Sequence, residues 1–179
     1  SIPVVYNCGG YESVETLKLL EELVDIWMPD MKYADPALAA ELSAAPDYFP
    51  VASEAVRRMI EHTGPLVLED FSENGQTCQL MKRGVILRHM VLPKHKDDSI
   101  RLLHWIHDNL PEGHFLVSLM SQYTPFYRAA EHGIGRRITT YEYRRVVNYA
   151  MDKGLTAGYM QQKSSAKEEY TPSFDLTGV

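Results

Sequence analysis

Two charged residues follow the second apolar run of the chain at a spacing that suits ligand binding. Asp30 and Lys32 come directly after residues 25–29, which we predict to form a strand. Alternate residues of an extended chain project to the same side, about 6.6 Å apart, so the two side chains can bracket a polar ligand. Asp30 would accept from hydroxyl or ammonium groups, and Lys32 would donate to a carboxylate. A solvated ion pair at the start of a loop is the competing interpretation.

The most regular strand pattern, over residues 84–92, carries polar residues at Arg88 and His89. Its two predicted faces are Ile86, Arg88, Met90 and Leu92 on one side, and Val85, Leu87, His89 and Val91 on the other. Parallel strands are normally buried on both faces, and a buried guanidinium needs an anionic partner. We therefore predict that Arg88 either contacts a carboxylate or phosphate of a ligand or forms an internal ion pair with Asp30.

The next predicted strand, over residues 115–120, leads to another polar residue. Alternation places Ser118 and Gln122 on one face, where the amide of Gln122 could line the same site. His104 and His107 have the spacing of a helical metal-binding pair. No third ligand is evident for them in the sequence, so we expect these histidines to lie on an exposed helix face.

Short apolar runs alternate with amphipathic helices, and this alternation predicts the frame that holds these side chains. Four helix starts carry capping signals: Ser13, Asp35 followed by Pro36, residues 97–99, and Thr139 followed by Glu142. Residues 72–79 are predicted as a loop, because Asn-Gly at 74–75 is a strong turn signal. The pattern favours an α/β fold with a parallel sheet or barrel. About four strands are recognisable, too few for a closed eight-stranded barrel.

Composition excludes several classes of protein. The chain has 179 residues and a formal net charge of −6, with 45% hydrophobic residues, which excludes intrinsic disorder. The acidic excess disfavours nucleic acid as a partner, and no apolar run is long enough to span a membrane. The two cysteines, Cys8 and Cys78, imply no disulfide framework, so we predict a reducing, cytoplasmic setting. No histidine can be assigned to Cys8, for which we expect a reduced, buried thiol.

The first residues of the chain suggest a further expectation. The chain begins at Ser1, and residues 2–6 already resemble a buried strand. A processing event or a short tag would explain this beginning. The alternative, which we favour, is that residues 1–179 form the C-terminal part of one longer domain.

Several strings of residues, in order along nearly the whole chain, resemble one known family. They are residues 6–13, 29–33, 88–93, 118–125 and 169–179. Together they resemble the C-terminal portion of radical S-adenosylmethionine proteins of the branch that includes pyruvate formate-lyase activating enzymes. The resemblance implies an α/β fold with parallel strands, namely the C-terminal part of a partial (β/α)6 barrel.

The resemblance also implies a chemistry and a set of binding residues. Family members hold a [4Fe–4S] cluster and S-adenosylmethionine at the strand ends. They generate a 5′-deoxyadenosyl radical that abstracts hydrogen, in activating enzymes from a glycine of a partner glycyl-radical enzyme. The family's cofactor-contacting positions correspond here to Asn7, Asp30, Lys32, Arg88 and Gln122. Asn7 replaces the family's aspartate and Gln122 replaces its late histidine, and a glutamine cannot titrate near neutrality.

The cluster-binding part of the family's pattern is absent from this chain. The family ligates its cluster through a Cys-x3-Cys-x2-Cys loop, whereas Cys8 and Cys78 lie far apart in unrelated contexts. We therefore predict no metal ligands in this chain, and no radical chemistry from these residues alone. Two other interpretations remain open: a binding module for an adenosyl ligand or a protein without turnover, and a cluster-independent barrel enzyme in which Lys32 acts as a base or forms a Schiff base beside Asp30.

Overall fold

The computed structural model describes residues 2–73, 76–155 and 158–160 as one sheet with helices packed against it. The strands are β1 (Val5–Cys8), β2 (Ile26–Pro29), β3 (Val67–Glu73), β4 (Gln76–Met90), β5 (Phe115–Met120) and β6 (Gly158–Met160). The helices are α1 (Val14–Leu20), α2 (Pro36–Ser43), α3 (Tyr48–Thr63), α4 (Lys96–Asn109) and α5 (Thr140–Asp152), with a short 3-10 helix at Tyr127–Ala130.

The sheet is parallel apart from one strand. Its strands pair in the order β1-β2-β4-β5-β6, all parallel, and β3 pairs antiparallel with the first half of β4. This arrangement confirms the predicted α/β class and the parallel strands. The described residues contain six strands, more than the four that the apolar runs predict.

The hydrophobic core lies on one face of the sheet. Trp27, Val85, Leu87, Val117 and Leu119 are buried there among apolar side chains of α3, α4 and α5. Most alternate residues of the same strands are only half-buried and lie outside this core, among them Met28, Ile86, Met90 and Leu116; Met120, at the end of β5, is buried. The two faces predicted for residues 84–92 are therefore correct, but burial on both faces is not observed, because the core-forming helices cover one side.

Local signals in the sequence set where α1, α2 and α5 begin. The cap predicted at residues 97–99 is wrong, because α4 already begins at Lys96 and has no side-chain cap. Ser13 Oγ accepts from the Thr16 N–H, and Asp35 Oδ1 accepts from the Ala37 N–H. Thr139 and Glu142 form the predicted reciprocal capping box. Each of these contacts satisfies backbone donors that the first turn of a helix leaves unpaired. None of the described helices combines the length and apolar character that a bilayer crossing requires.

The first strand differs from its prediction. It spans Val5–Cys8 rather than residues 2–6, and within the part of the chain that the structure describes it is an edge strand of the sheet. Ile2 is 93% exposed and Val4 and Val5 are about half exposed, so this apolar run is not buried. A row of apolar residues alone does not reveal whether a strand has a neighbour on both sides.

The predicted loop at residues 72–79 is wrong where the structure describes it. β3 and the first half of β4 form a hairpin, with Phe71 opposite Cys78 and Glu69 opposite Leu80. β4 then continues through Gly84 into the parallel sheet. The turn predicted at 74–75, the end of the last predicted strand at residue 161 and the tail at 163–179 lie outside the described residues.

Candidate functional site

A cavity of about 350 Å³ opens at the C-terminal ends of β2, β4 and β5. It is lined by Asp30, Lys32, Tyr33, Arg88, Met90, Leu92, Met120, Gln122 and Tyr123. Ligand sites in sheets with parallel strands occupy this edge, where the connecting loops converge. The structure thus brings together four of the residues that the sequence singles out: Asp30, Lys32, Arg88 and Gln122.

An ion pair crosses the floor of this cavity. Arg88 Nε and Nη2 donate to Asp30 Oδ1 at 2.9 and 2.6 Å, and Lys32 Nζ lies 3.8 Å from Asp30 Oδ2. The internal Asp30–Arg88 pair, one of the two predicted options for Arg88, is therefore present. Because two cationic groups face one carboxylate, the cavity favours a ligand with an anionic group. Lys32, whose side chain is 44% exposed, is the cation most accessible to such a group.

Tyr48, in the first turn of α3, fixes the backbone beside this ion pair. Its hydroxyl oxygen accepts from the Lys32 N–H at 3.0 Å. The same oxygen lies 2.8 Å from Asp30 O and 2.9 Å from Gly9 O, and its hydrogen can be donated to either. Burial raises the pKa of Tyr48, so the hydroxyl keeps its hydrogen at neutral pH. One buried hydroxyl therefore joins the loops that follow β1 and β2.

His89 holds the same segment from the core side of β4. Its Nδ1 lies 2.6 Å from Met31 O, and its Nε2 lies 2.8 Å from Ser99 Oγ. A carbonyl can only accept, so Nδ1 carries the hydrogen and Nε2 accepts from the serine hydroxyl. Burial lowers the pKa of His89, which keeps the imidazole neutral. This arrangement explains how the sheet tolerates a histidine in a core position.

Backbone contacts complete the support of residues 30–32. The Asp30 N–H donates to Cys8 O at 3.0 Å, and the Met31 N–H donates to Arg88 O at 2.7 Å. With the contacts of Tyr48 and His89, the backbone donors of all three residues and the carbonyl of Met31 are engaged, and the Asp30 carbonyl lies within hydrogen-bond distance of the Tyr48 hydroxyl. The segment is thus held in one conformation by three separate parts of the chain, namely β1, the start of α3 and β4, which is the support that a preorganised site requires.

Replacement of Tyr48 by phenylalanine is expected to loosen this segment without unfolding the chain. The Lys32 N–H loses its acceptor, which costs about 1 kcal/mol of stability for one hydrogen bond. We therefore expect the Lys32 amide to exchange with deuterium at least several-fold faster than in the wild type. Amides in the middle of α4 serve as the internal control. An unchanged Lys32 exchange rate would contradict the role given to the hydroxyl.

Asn7, the remaining predicted binding residue, does not line the cavity. It is an exposed residue of the edge strand β1, opposite Met28 in the parallel register. Ser118 is half-buried on the same face as Arg88 and is also outside the cavity lining. Cys8 is partly buried, and burial raises the pKa of its thiol to about 11. A thiol with that pKa is almost fully protonated at neutral pH, as expected for a structural cysteine.

The described residues offer no metal site. They contain no cluster of three or more His, Cys, Asp or Glu side chains arranged to hold an ion. His104 and His107 both lie beside Asp108 on an exposed face of α4. Cys8 ends β1 in the sheet, while Cys78 is exposed on the hairpin.

Several cavity residues are not identified by the sequence pattern. Alternation places Met90 and Leu92 beside Arg88 and Met120 beside Gln122, but nothing in the sequence marks Tyr33 or Tyr123 as lining residues. The roles of Tyr48 and His89 depend on contacts with residues far away in the sequence. No local signal could have revealed either of them.

Comparison with known proteins finds a similar protein but does not assign the chain to a family. No family model matches the chain. Over 161 residues the chain is 30% identical to a protein of Methanocaldococcus jannaschii described as "Uncharacterized protein MJ0674". The matched region covers 89% of this chain and 41% of that relative, so the chain spans less than half the length of the curated protein that it resembles.

Proposed function

We propose that this chain forms the S-adenosylmethionine-binding part of a radical S-adenosylmethionine enzyme resembling the pyruvate formate-lyase activating enzymes. The observation that carries the proposal is the cavity that gathers Asp30, Lys32, Arg88 and Gln122 at one edge of the parallel sheet. These are four of the five positions to which the resemblance assigns cofactor contacts. Asn7, the fifth, lies outside the cavity lining and has no part in the proposed site.

The charges and shape of the cavity suit this ligand. Lys32 would bind the carboxylate of the methionyl group, and the outer oxygen of Asp30 would accept from its ammonium or from a ribose hydroxyl. Gln122 can hydrogen-bond a hydroxyl, and the side chains of Tyr33, Met90 and Met120 supply apolar walls. A volume of about 350 Å³ lies at the lower end of the range for ligand sites, so this chain would enclose the ligand only in part.

The iron–sulfur cluster of the family does not fit the described residues. Cluster assembly needs several thiolates close together, and Cys8 and Cys78 lie on separate parts of the sheet. In the family, bound S-adenosylmethionine supplies a sulfonium for reductive cleavage. The residues of this chain bind and orient the ligand in our proposal, and they provide no electron source.

The resemblance also suggests the fold around the site, the partner protein and the cellular compartment. We propose that the half-buried face of the sheet, with Arg88 on it, is the inner side of a partial (β/α)6 barrel. The location of the core-forming helices on the opposite face supports this arrangement. The partner would be a glycyl-radical enzyme or another protein substrate, and the setting would be the cytoplasm.

Calorimetric titration with S-adenosylmethionine tests the site. The Lys32→Met variant is expected to bind at least tenfold more weakly than the wild type, because a charge-assisted hydrogen bond contributes about 1.5–3 kcal/mol. Decarboxylated S-adenosylmethionine, which lacks the group assigned to Lys32, should bind both proteins equally weakly. Lys18→Met, an equivalent change at an exposed position of α1, is the control and should leave the affinity unchanged. The absence of binding to the wild type would refute the proposal.

Two alternatives predict different results in further experiments. A binding module without turnover would bind S-adenosylmethionine in the same way but would not cleave it in a longer protein that carries the cysteine loop. A Schiff-base enzyme would be trapped covalently at Lys32 by borohydride in the presence of a carbonyl compound. The structure does not favour the latter, because the Lys32 amine is open to solvent rather than enclosed by an apolar pocket.

A further inference from the structure

The hairpin of β3 and residues 76–83, which we call the ribbon, forms few contacts with the rest of the chain. β3 pairs only with β4 in the described part of the sheet, and β4 enters the parallel sheet only from Gly84 onward. A two-stranded ribbon is at best marginally stable in water. A further strand that paired with the ribbon would therefore stabilise it.

Apolar side chains are exposed on both faces of the ribbon. Phe71 is 44% exposed and Leu80 is 42% exposed, and the register places both on one face with Cys78. Leu68, which is 40% exposed, lies on the other face. Exposed apolar residues beside one another on a strand are typical of surfaces that bind another chain.

Along Leu68–Phe71, no described strand other than β4 pairs with β3, and the outer edge of this stretch carries a pattern of charges. Glu69 contacts Lys82 at 3.3 Å across the ribbon, and Asp70 accepts from Gln79 at 3.3 Å. The four residues from Leu68 to Phe71 thus read apolar–acidic–acidic–apolar along the edge. Each face of the strand presents one carboxylate next to one apolar side chain.

This charge pattern opposes pairing of the edge with a second copy of the chain. A closed antiparallel dimer centred on Asp70 would place Asp70 opposite its own copy. Shifting the register by one step toward the N-terminus would place Glu69 opposite its own copy. Like charges directly opposite one another are destabilising, so a basic strand fits the edge better than a second copy does.

We propose that the outer edge of β3 binds an extended segment of a partner protein with the pattern apolar–basic–basic–apolar. Two adjacent basic residues would lie opposite Glu69 and Asp70, and the flanking apolar residues would lie opposite Leu68 and Phe71. The pattern is the same in either direction, so it suits a parallel or an antiparallel strand. The main-chain hydrogen bonds of the added strand provide affinity, and the side chains provide specificity. This proposal is independent of the ligand assigned to the cavity.

Labelled synthetic peptides test the proposal by fluorescence anisotropy at low salt. The first peptide contains Val-Lys-Lys-Val within a Ser/Thr-rich strand, the second has the order Lys-Val-Val-Lys, and the third has Val-Glu-Glu-Val. We expect the wild type to prefer the first peptide over the second and third by about tenfold, from two opposed charge pairs. Binding should slow deuterium exchange at residues 68–72.

Charge reversal provides the decisive comparison. The double variant Glu69→Lys with Asp70→Lys should prefer the Val-Glu-Glu-Val peptide, whereas Glu22→Lys with Glu112→Lys, which changes the net charge equally, should keep the wild-type preference. Equal binding of all peptides, or a preference that the double variant does not reverse, would overturn the proposal. A dimer in sedimentation experiments with protected amides at 68–72 would overturn it as well, because a second copy would then cover the edge.

Discussion

Replacing Gly10 with alanine is expected to destabilise the chain far more than the same replacement at Gly113. Both glycines have a left-handed backbone, with φ of 79° at Gly10 and 77° at Gly113. A Cβ at Gly113 would meet no atom within 4 Å, whereas a Cβ at Gly10 would overlap the Asp30 carbonyl oxygen. The comparison therefore separates backbone strain, which both variants share, from the close approach of two loops at the cavity.

The expected losses in the free energy of unfolding differ enough between the two variants to be measured. Left-handed backbone costs an alanine about 1–2 kcal/mol, and this is the whole effect expected at Gly113. At Gly10 the collision with backbone adds about 1–3 kcal/mol, and relief of the collision would displace Asp30 and Lys32. Urea unfolding at pH 7 gives both free energies. Equal losses at the two positions would show that the contact between Gly10 and Asp30 is not tight in solution.

Replacing His89 with phenylalanine is expected to cost about 2–4 kcal/mol and to remove one source of pH dependence. The variant leaves the buried carbonyl of Met31 without the imidazole donor, and an unsatisfied buried group costs about 1–3 kcal/mol. It also removes the imidazole from the Ser99 hydroxyl, which keeps only the longer contact of 3.4 Å with His95 O. His89→Asn is the informative companion, because its amide can donate to Met31 O from the place of Nδ1 but does not titrate. It should recover part of the lost stability.

The sign of the pH effect follows from the lowered pKa of His89. An unperturbed histidine side chain has a pKa of about 6.5, and burial lowers the pKa of His89 in the folded chain below that value. The unfolded chain therefore binds more protons as the pH falls below about 6.5, and the contribution of His89 to stability declines in that direction. The stability difference between the wild type and His89→Asn should thus shrink from pH 7.5 to pH 5. A constant difference over that range would contradict the assignment of a neutral, buried imidazole.

Features that depend on neighbours in the sequence were predictable. The caps at Ser13, Asp35 and Thr139 are each made within three residues, so residue type and spacing identify them. The strand Phe115–Met120 is bounded as its apolar run indicates. The alternation around Arg88 also placed its side chain correctly, since a strand has only two faces.

Features that depend on distant partners could not be predicted in the same way. Asp30 and Arg88 are 58 residues apart, and sequence spacing cannot decide between an internal ion pair and a ligand contact. Tyr48 reaches Lys32 and Gly9 only because α3 begins beside the loops after β1 and β2. The hairpin escaped prediction because its residues do not alternate strictly between apolar and polar: Leu68 to Phe71 read apolar–acidic–acidic–apolar, and strict alternation is the sequence signal of a half-buried strand.

The hydrogen bonds around residues 30–32 have a consequence for the thermodynamics of ligand capture. Ordering a backbone costs about 1–2 kcal/mol of conformational entropy per residue. Here the contacts with Cys8, Tyr48 and His89 impose that order when the chain folds, before any ligand arrives. What remains to be ordered on binding is chiefly the long side chain of Lys32. When a ligand binds at this edge of the sheet, most of the conformational entropy of the site has therefore already been lost during folding, and little more is lost on binding.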